Sequence, residues 1–451
     1  MTSENKRPKV LIVGGGLVGA LNALFFARTQ KYDIIVCEKT SDIRGTNRTI
    51  GRSINLSLSH RGLTALKIVG LDEEILAASI PMYARMVHGV NEDLKRFPYG
   101  LSNQCISAID RKLMNEILLT KVENNENIQL FFNMKLVDVD FRKKIAKFLS
   151  EKEYHEIAFD FLIGNDGAHS TVRQFMSKNM RMNFSEEYIP HGYIELHFPP
   201  GADNKHVMDK KCLHIWPRSE FMLIGLPNLD GSFSGILFMP FEYYDEIESN
   251  ENLFKFFNFN FPDAFRLIGK SNLARMFFAT KPAKMVTIRC NPYNFGGLCI
   301  IMGDAAHAMV PFYGQGMNSG FEDVIIFHEI LKNHDYDLDK TCVEFTKNRN
   351  FDAKAMCDLA FFNYDELRIN VTLLSFRLRK IIDNLMNYLF PSFWIPLYTM
   401  VCFTRIPYTK CLEEKEKQDK ILTRLKKMII TVLFGSILIL TNNLIHNKFA
   451  I

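Results

Sequence analysis

Apolar residues crowd into short runs along this chain, and their periods separate strands from helices. Lys9 to Val13 (KVLIV) is apolar after its first residue and stops at glycine, which predicts a parallel strand buried on both faces. Leu17 to Thr29 follows at helical spacing, and Asp33 to Cys37 predicts a second buried strand. Phe159 to Ile163 and Leu298 to Met302 repeat the buried-strand pattern, and Asn318 to Leu331 returns to the helical one. Between them, Gly192–Phe198, Cys212–Trp216, Phe221–Leu226 and Gly235–Met239 are short β-rich runs punctuated by Pro199-Pro200, Pro217-Arg218, Pro227-Asn228 and Pro240. Their close spacing predicts an antiparallel meander. The expected fold is therefore α/β: a Rossmann-like nucleotide domain, an inserted antiparallel sheet and a helical C-terminal region. The nucleotide domain is expected in three pieces (1–80, 106–180 and 286–335). The substrate domain takes 81–105 and 181–285, the helical region 336–423, and a membrane anchor 424–451.

That last segment stands apart. Met428 to Ile445 carries no charge over 18 residues, and Arg424, Lys426 and Lys427 stand just before it. Only its first 13 residues are strongly apolar, short against the ~20 that a hydrocarbon core requires. A buried terminal helix is the competing reading. Position and basic flank favour a tail anchor with the flank on the cytosolic side. Leu385 to Thr404 is also uncharged but contains Pro391 and Pro396, which fits a bent or interfacial segment better than a span.

Composition narrows the class. With 451 residues, 47% of them hydrophobic, the chain can bury two or three domain cores. A net charge of +5, spread along the chain, does not suggest nucleic-acid binding. Nine scattered cysteines without a CxxC pair argue against a zinc site or a disulfide framework.

Two stretches carry chemistry. Gly14-Gly15-Gly16-Leu17-Val18-Gly19 joins the first strand to the first helix, and Glu38 ends the second strand. This is the spacing of a dinucleotide fingerprint, with the acid placed for a ribose hydroxyl. The second stretch, Gly303 to Asn318, sets Asp304 at a strand end and opens a Gly-Gln-Gly loop onto a helix N-terminus, where unpaired N–H groups favour an electron-rich ligand. No second fingerprint follows a strand. One standing dinucleotide that needs contacts near residue 304 as well as residue 14 is better read as FAD than as NAD.

The ordered motifs, namely the fingerprint with Glu38, Gly51-Arg52-Ser53, Gly164-Asn165-Asp166-Gly167 and Gly303-Asp304 with Pro311, resemble those of the single-component flavin-dependent aromatic hydroxylases. Tyr188–Glu195, His214–Arg218, Phe238–Glu242 and Ile395–Arg405 extend the likeness to the members that hydroxylate L-kynurenine in tryptophan degradation and NAD biosynthesis. The resemblance implies bound FAD, NADPH as transient reductant and O2 as co-substrate. A flavin C4a-hydroperoxide would then deliver oxygen to the ring. It implies no protein nucleophile, no metal and no catalytic side chain. For the substrate it implies Arg85, Tyr99, Asn363 and Tyr398. For FAD it implies Gly14, Gly16, Val18, Gly19, Cys37, Glu38, Lys39, Thr40, Ser57, Arg111, Leu136, Asp166, Asp304, Gly316, Met317 and Asn318. Arg52 is structural or helps to position NADPH, His307 packs beside the flavin, and Pro311, Phe312 and Gln315 wall its ring. The family's C-terminal anchor implies the mitochondrial outer membrane, with the catalytic part facing the cytosol. A related monooxygenase on another aromatic or an isoprenoid, a flavoprotein oxidase or reductase, and a non-catalytic FAD-binding scaffold stay open. Oligomeric state and the NADPH docking site do not follow from the sequence.

Overall fold

The computed structural model describes residues 7–45, 55–100, 104–368 and 373–448. Gly51-Arg52-Ser53 lies outside the described residues. The expected strands Lys9–Val13 and Asp33–Cys37 and the helix Leu17–Thr29 form within those bounds. They belong to a six-stranded sheet in the order Asn294–Phe295, Cys299–Ile301, Phe161–Gly164, Lys9–Val13, Asp33–Cys37, Ile128–Phe131. Every pairing except the first is parallel. Helices cover this sheet, so its strands are apolar at nearly every position: Val10, Leu11, Ile12, Leu162, Ile163, Ile300 and Ile301 are all fully buried.

The inserted sheet is larger and less regular than a simple meander. Its seven strands run in the order Ala283–Asn291, Asn183–Phe198, Phe233–Pro240, Phe221–Pro227, Cys212–Arg218, Ala84–His88, Leu94–Pro98. Only Cys212 to Pro240 is a sequential meander. The long Asn183–Phe198 strand crosses over to pair with Phe233–Pro240, and Ala84–His88 joins in parallel with Cys212–Arg218. Pro199-Pro200 follows its strand as expected, but Pro217, Pro227 and Pro240 are the penultimate or last residues of theirs, and Pro217 still pairs with Met222 across the hairpin. A proline is tolerated there because a strand end need not donate to the ladder. Two three-stranded sheets complete the β-structure. One, Lys135–Ala158, is a meander; the other joins Asn55–Leu58, Ile106–Asp110 and Ile80–Met82.

Beyond Gly316 the chain is helical. Gly316–Asn333 and the 31-residue helix Leu338–Arg368 are tied to the nucleotide domain by a fully buried ionic cluster. Arg349 binds Asp323 (2.6 Å), Asp352 (2.6 Å) and the Ser319 carbonyl (3.0 Å). Arg61 binds Glu322 (2.6 Å) and the Val401 carbonyl (2.9 Å), with its guanidinium 4.0 Å from the Tyr408 ring. Asp352 also accepts from the Thr409 N–H (2.9 Å), which fixes the start of the last helix. The C-terminal region is thereby fastened against the nucleotide domain.

That last helix, Tyr408–Lys448, is continuous for 41 residues. Among the described residues no helix is long and apolar enough to cross a membrane, so the expected membrane-anchor helix is not supported. The physical reason is visible in the sequence: Thr441, Asn442 and Asn443 interrupt the apolar run after 13 residues.

Candidate functional site

One cavity of about 620 Å³ runs from the fingerprint glycines to the inserted sheet. Gly14, Gly16, Val18, Cys37, Glu38, Lys39, Ser57, Arg111, Leu136, Asp166, Asp304, Gly316 and Met317 line it, and so do Arg85, Tyr99, Asn363 and Tyr398. Gly19, Thr40 and Asn318 do not, and each has another task. A Cβ on Gly19 would lie 1.9 Å from the Gly14 carbonyl oxygen, so this glycine packs helix on turn. Thr40 donates to Glu38 Oε1 through its N–H (2.9 Å) and hydroxyl (2.8 Å). Asn318 is fully buried; it accepts from the Ser59 N–H (2.9 Å) and donates to the Ser57 and Gly314 carbonyls (both 2.8 Å). It straps the Gly-Gln-Gly loop to the neighbouring sheet.

The glycines of the fingerprint have separable roles. Gly14 has φ +107°, and its Cβ would meet the Asn165 carbonyl oxygen at 2.4 Å. Gly16 has φ −72° and ψ −175°, open to any residue, and a Cβ there meets nothing within 4 Å. Neither backbone nor packing demands a glycine at 16. The space it leaves faces the cavity, as a close-approaching pyrophosphate requires.

The carboxylates also divide. Glu38 accepts from the Gly15 N–H (2.8 Å) across the turn and lines the cavity beside the fingerprint glycines. Asp304 is exposed into the cavity and makes no hydrogen bond or ion pair among the described residues, so its oxygens are open to hydroxyl donors. Asp166 lines the cavity and has a second task. Its oxygens accept from the Ser170 hydroxyl (2.6 Å) and the Thr171 (2.6 Å) and Val172 (3.0 Å) N–H groups, so it caps the helix Thr171–Asn179. Burial raises its pKa against the pull of those donors. Gly316 and Met317, at the N-terminus of the helix Gly316–Asn333, also line the cavity. Glycine spacing, an unpartnered acid and a helix N-terminus together fit an FAD-sized ligand.

The far end is an aromatic box around one cation. Arg85 comes from the strand Ala84–His88 and Tyr99 from just past its hairpin partner. Tyr398 stacks on Tyr99 (centroids 5.2 Å apart) and on Tyr313 (5.7 Å), and the Arg85 guanidinium lies 4.3 Å from its ring centre. Burial opposes the charge on Arg85, and the neighbouring Glu366 carboxylate favours it. Burial likewise raises the phenols of Tyr99 and Tyr398, which stay neutral. Arg85 Nε and the Tyr99 hydroxyl are buried without a hydrogen-bond partner among the described residues. Such groups cost about 1–3 kcal/mol each unless a ligand completes them.

Asn363 donates to the Phe312 carbonyl (2.8 Å), and Phe312 stacks on Tyr364 at 3.7 Å, so this asparagine shapes the cavity wall near Arg85. Pro311 and Phe312 line the cavity. Gln315 does not: it is buried, with Nε2 turned to Cys402 Sγ (3.5 Å). His307 is also turned away, its Nε2 2.6 Å from Asp323, whose other contacts include the Gly303 N–H (2.8 Å). Sequence reasoning missed Tyr313, Phe238 and Glu366. Glu366 was findable, because it lies three residues after Asn363 on one helix face.

Residues 7–334 match the FAD binding domain family, so the chain belongs to that family of flavoproteins. Its fold is that of a 2-methyl-3-hydroxypyridine-5-carboxylic acid oxygenase (TM-score 0.67, 17% identity, 82% of this chain and 95% of that one). It is also that of a probable FAD-dependent monooxygenase from Pseudomonas aeruginosa (TM-score 0.65, 17% identity, 81% and 97%). Closer likeness is in sequence. Kynurenine 3-monooxygenase of Anopheles gambiae is 46% identical over 92% of this chain and 86% of its own length, and that of Caenorhabditis elegans 43% over 93% and 94%. The enzyme of Sus scrofa is 42% identical over 93% and 89%. The chain belongs to the kynurenine 3-monooxygenase family.

Proposed function

We propose that this protein is an FAD- and NADPH-dependent monooxygenase that converts L-kynurenine and O2 to 3-hydroxykynurenine and water. The observation that carries the reading is the continuity of the cavity: fingerprint glycines and Asp304 at one end, a buried guanidinium among tyrosines at the other. Bound FAD, reduced by NADPH, supplies the oxygen-activating chemistry. The chain's own residues bind, orient and exclude water. Gly14, Gly16 and Glu38 would hold the adenosine and pyrophosphate, Asp304 the ribityl hydroxyls, and Gly316 to Asn318 the ring edge through backbone N–H groups. Arg85 offers two parallel N–H groups to the amino-acid carboxylate, and the Tyr99 hydroxyl adds a third donor. The aromatic ring of the substrate then points away from Arg85, toward Phe312 and the loop after Pro311. Phe238, Phe312 and Tyr364 close that wall against water. The substrate ring is an aniline, already electron-rich, so no strong protein base is required.

The test is direct. Purified protein loaded with FAD should consume NADPH faster on addition of L-kynurenine and release a product heavier by one oxygen atom; absence of either result refutes the reading. Arg85→Ala should lower kcat/KM by about 30-fold to 5000-fold, the 2–5 kcal/mol expected for truncating one partner of a buried charge pair, with FAD still bound. Loss of flavin from that variant would place Arg85 in the wrong part of the site. The uncharged run 428–445 with its basic flank supports attachment to a membrane surface, and family membership supports the mitochondrial outer membrane. Flotation of the full chain with liposomes, lost on truncation at Arg424, is the expected result; flotation that survives truncation refutes the tail's role.

A further inference from the structure

The Arg85 end of the cavity carries more positive charge than its own carboxylate neutralises. Glu366, one turn beyond Asn363, accepts from Arg85 Nη1 through a single contact of 3.3 Å, and its side chain is 23% exposed. A second cation reaches this group from the helix Leu374–Leu389. The Lys380 ammonium lies 5.3 Å above the ring of Phe97, and Phe97 is the cross-strand partner of Arg85. Phe376, one turn earlier on the same helix, meets Phe97 edge-on at 6.3 Å and fixes the approach. Lys380 is half-buried and makes no ion pair among the described residues. Burial first, and then repulsion from Arg85, pull its pKa down to about 8, with Glu366 acting in the opposite sense. Glu366 is thus paired with Arg85, while Lys380 stands over the neighbouring Phe97 without a carboxylate of its own among the described residues.

Glu366 is the exchangeable partner. A substrate carboxylate that offers both oxygens to the guanidinium makes a stronger, bidentate pair than one long contact. Once displaced, Glu366 would stand as a like charge beside the incoming carboxylate unless another cation takes it. We infer that Lys380 is a positioning residue for carboxylate-bearing substrates: it receives Glu366 when the substrate carboxylate displaces Glu366 from Arg85. No bond is made or broken; two cations end up facing two carboxylates. The inference rests on the amino-acid substrate proposed above. It gives the latch a selective consequence, because a ligand without a carboxylate never releases Glu366 and never calls on Lys380.

The experiment uses the full-length FAD-loaded protein, as wild type, Lys380→Met and Lys380→Arg, with L-kynurenine and the amine left when its carboxyl group is removed. Binding is read from the flavin absorbance change without NADPH, and kcat and KM are measured alongside. For Lys380→Met, Kd and KM for L-kynurenine should rise tenfold or more while kcat stays within about threefold. Lys380→Arg should restore both constants to within threefold of wild type, and the amine should bind all three proteins alike. An unchanged Kd for L-kynurenine in Lys380→Met overturns the proposal. So does an equal loss for amino acid and amine, which a merely structural lysine would produce. Failure of wild type to bind L-kynurenine is a different outcome: it overturns the proposed function and takes the latch with it.

Discussion

Replacing each fingerprint glycine by alanine should separate two requirements that a sequence motif presents as one. At Gly16 the added methyl meets nothing within 4 Å and φ is −72°. Alanine there removes backbone freedom from the unfolded chain, worth ~0.4–1 kcal/mol of added stability. Gly16 is also the N-cap of the first helix, where alanine is the poorer residue by a few tenths to ~1 kcal/mol. The two effects oppose, so the apoprotein should change by less than about 1 kcal/mol. At Gly19 the methyl would sit 1.9 Å from the Gly14 carbonyl oxygen, and at Gly14 it would sit 2.4 Å from that of Asn165 at φ +107°. Backbone must move in both cases, and overpacking of this kind costs about 1–3 kcal/mol or more. For FAD the order reverses. The methyl of Gly16→Ala fills space that the cavity leaves for a phosphate, and losing one charge-assisted hydrogen bond costs ~1.5–3 kcal/mol, about tenfold to 150-fold in Kd. Urea unfolding of the three apoproteins and fluorescence titration with FAD measure both quantities. Equal destabilisation of the apoprotein by Gly16→Ala and Gly19→Ala, or wild-type affinity of Gly16→Ala for FAD, refutes this separation of roles.

Two further outcomes follow from buried groups. Arg349→Met leaves Asp323 and Asp352 without their shared cation, and breaking such a buried cluster should cost about 3–5 kcal/mol, read from urea midpoints; a loss under 1 kcal/mol would show that the acids find other partners. Burial lowers the His328 pKa to about 3 from an ordinary 6.5. The unfolded chain therefore binds a proton that the native state refuses between those values, and stability present above pH 6.5 is lost as pH falls. Between pH 7 and pH 5 the loss should be about 2 kcal/mol from this residue, and His328→Phe should reduce the measured difference by that amount.

The sequence by itself determined every feature whose cause is local. Lys9–Val13, Leu17–Thr29 and Asp33–Cys37 were legible because apolar period and glycine punctuation act over a few residues. The nucleotide domain and its dinucleotide followed, because the fingerprint needs only consecutive residues. The four positions proposed for the substrate, 85, 99, 363 and 398, came instead from resemblance to a family; periodicity alone makes Arg85 a surface residue and Tyr398 a core aromatic. Only the tertiary structure decided that they meet, because an inserted sheet whose order departs from chain order sets residue 85 beside the strand at 212–218 and under the helix that carries Glu366. The same holds for roles within a motif. Asp166 lines the cavity and also caps a helix, Asn318 is a strap, Gly19 a packing contact and Gly16 an open cradle. Each role is set by what lies a few ångströms away through space, and that distance does not exist along the chain.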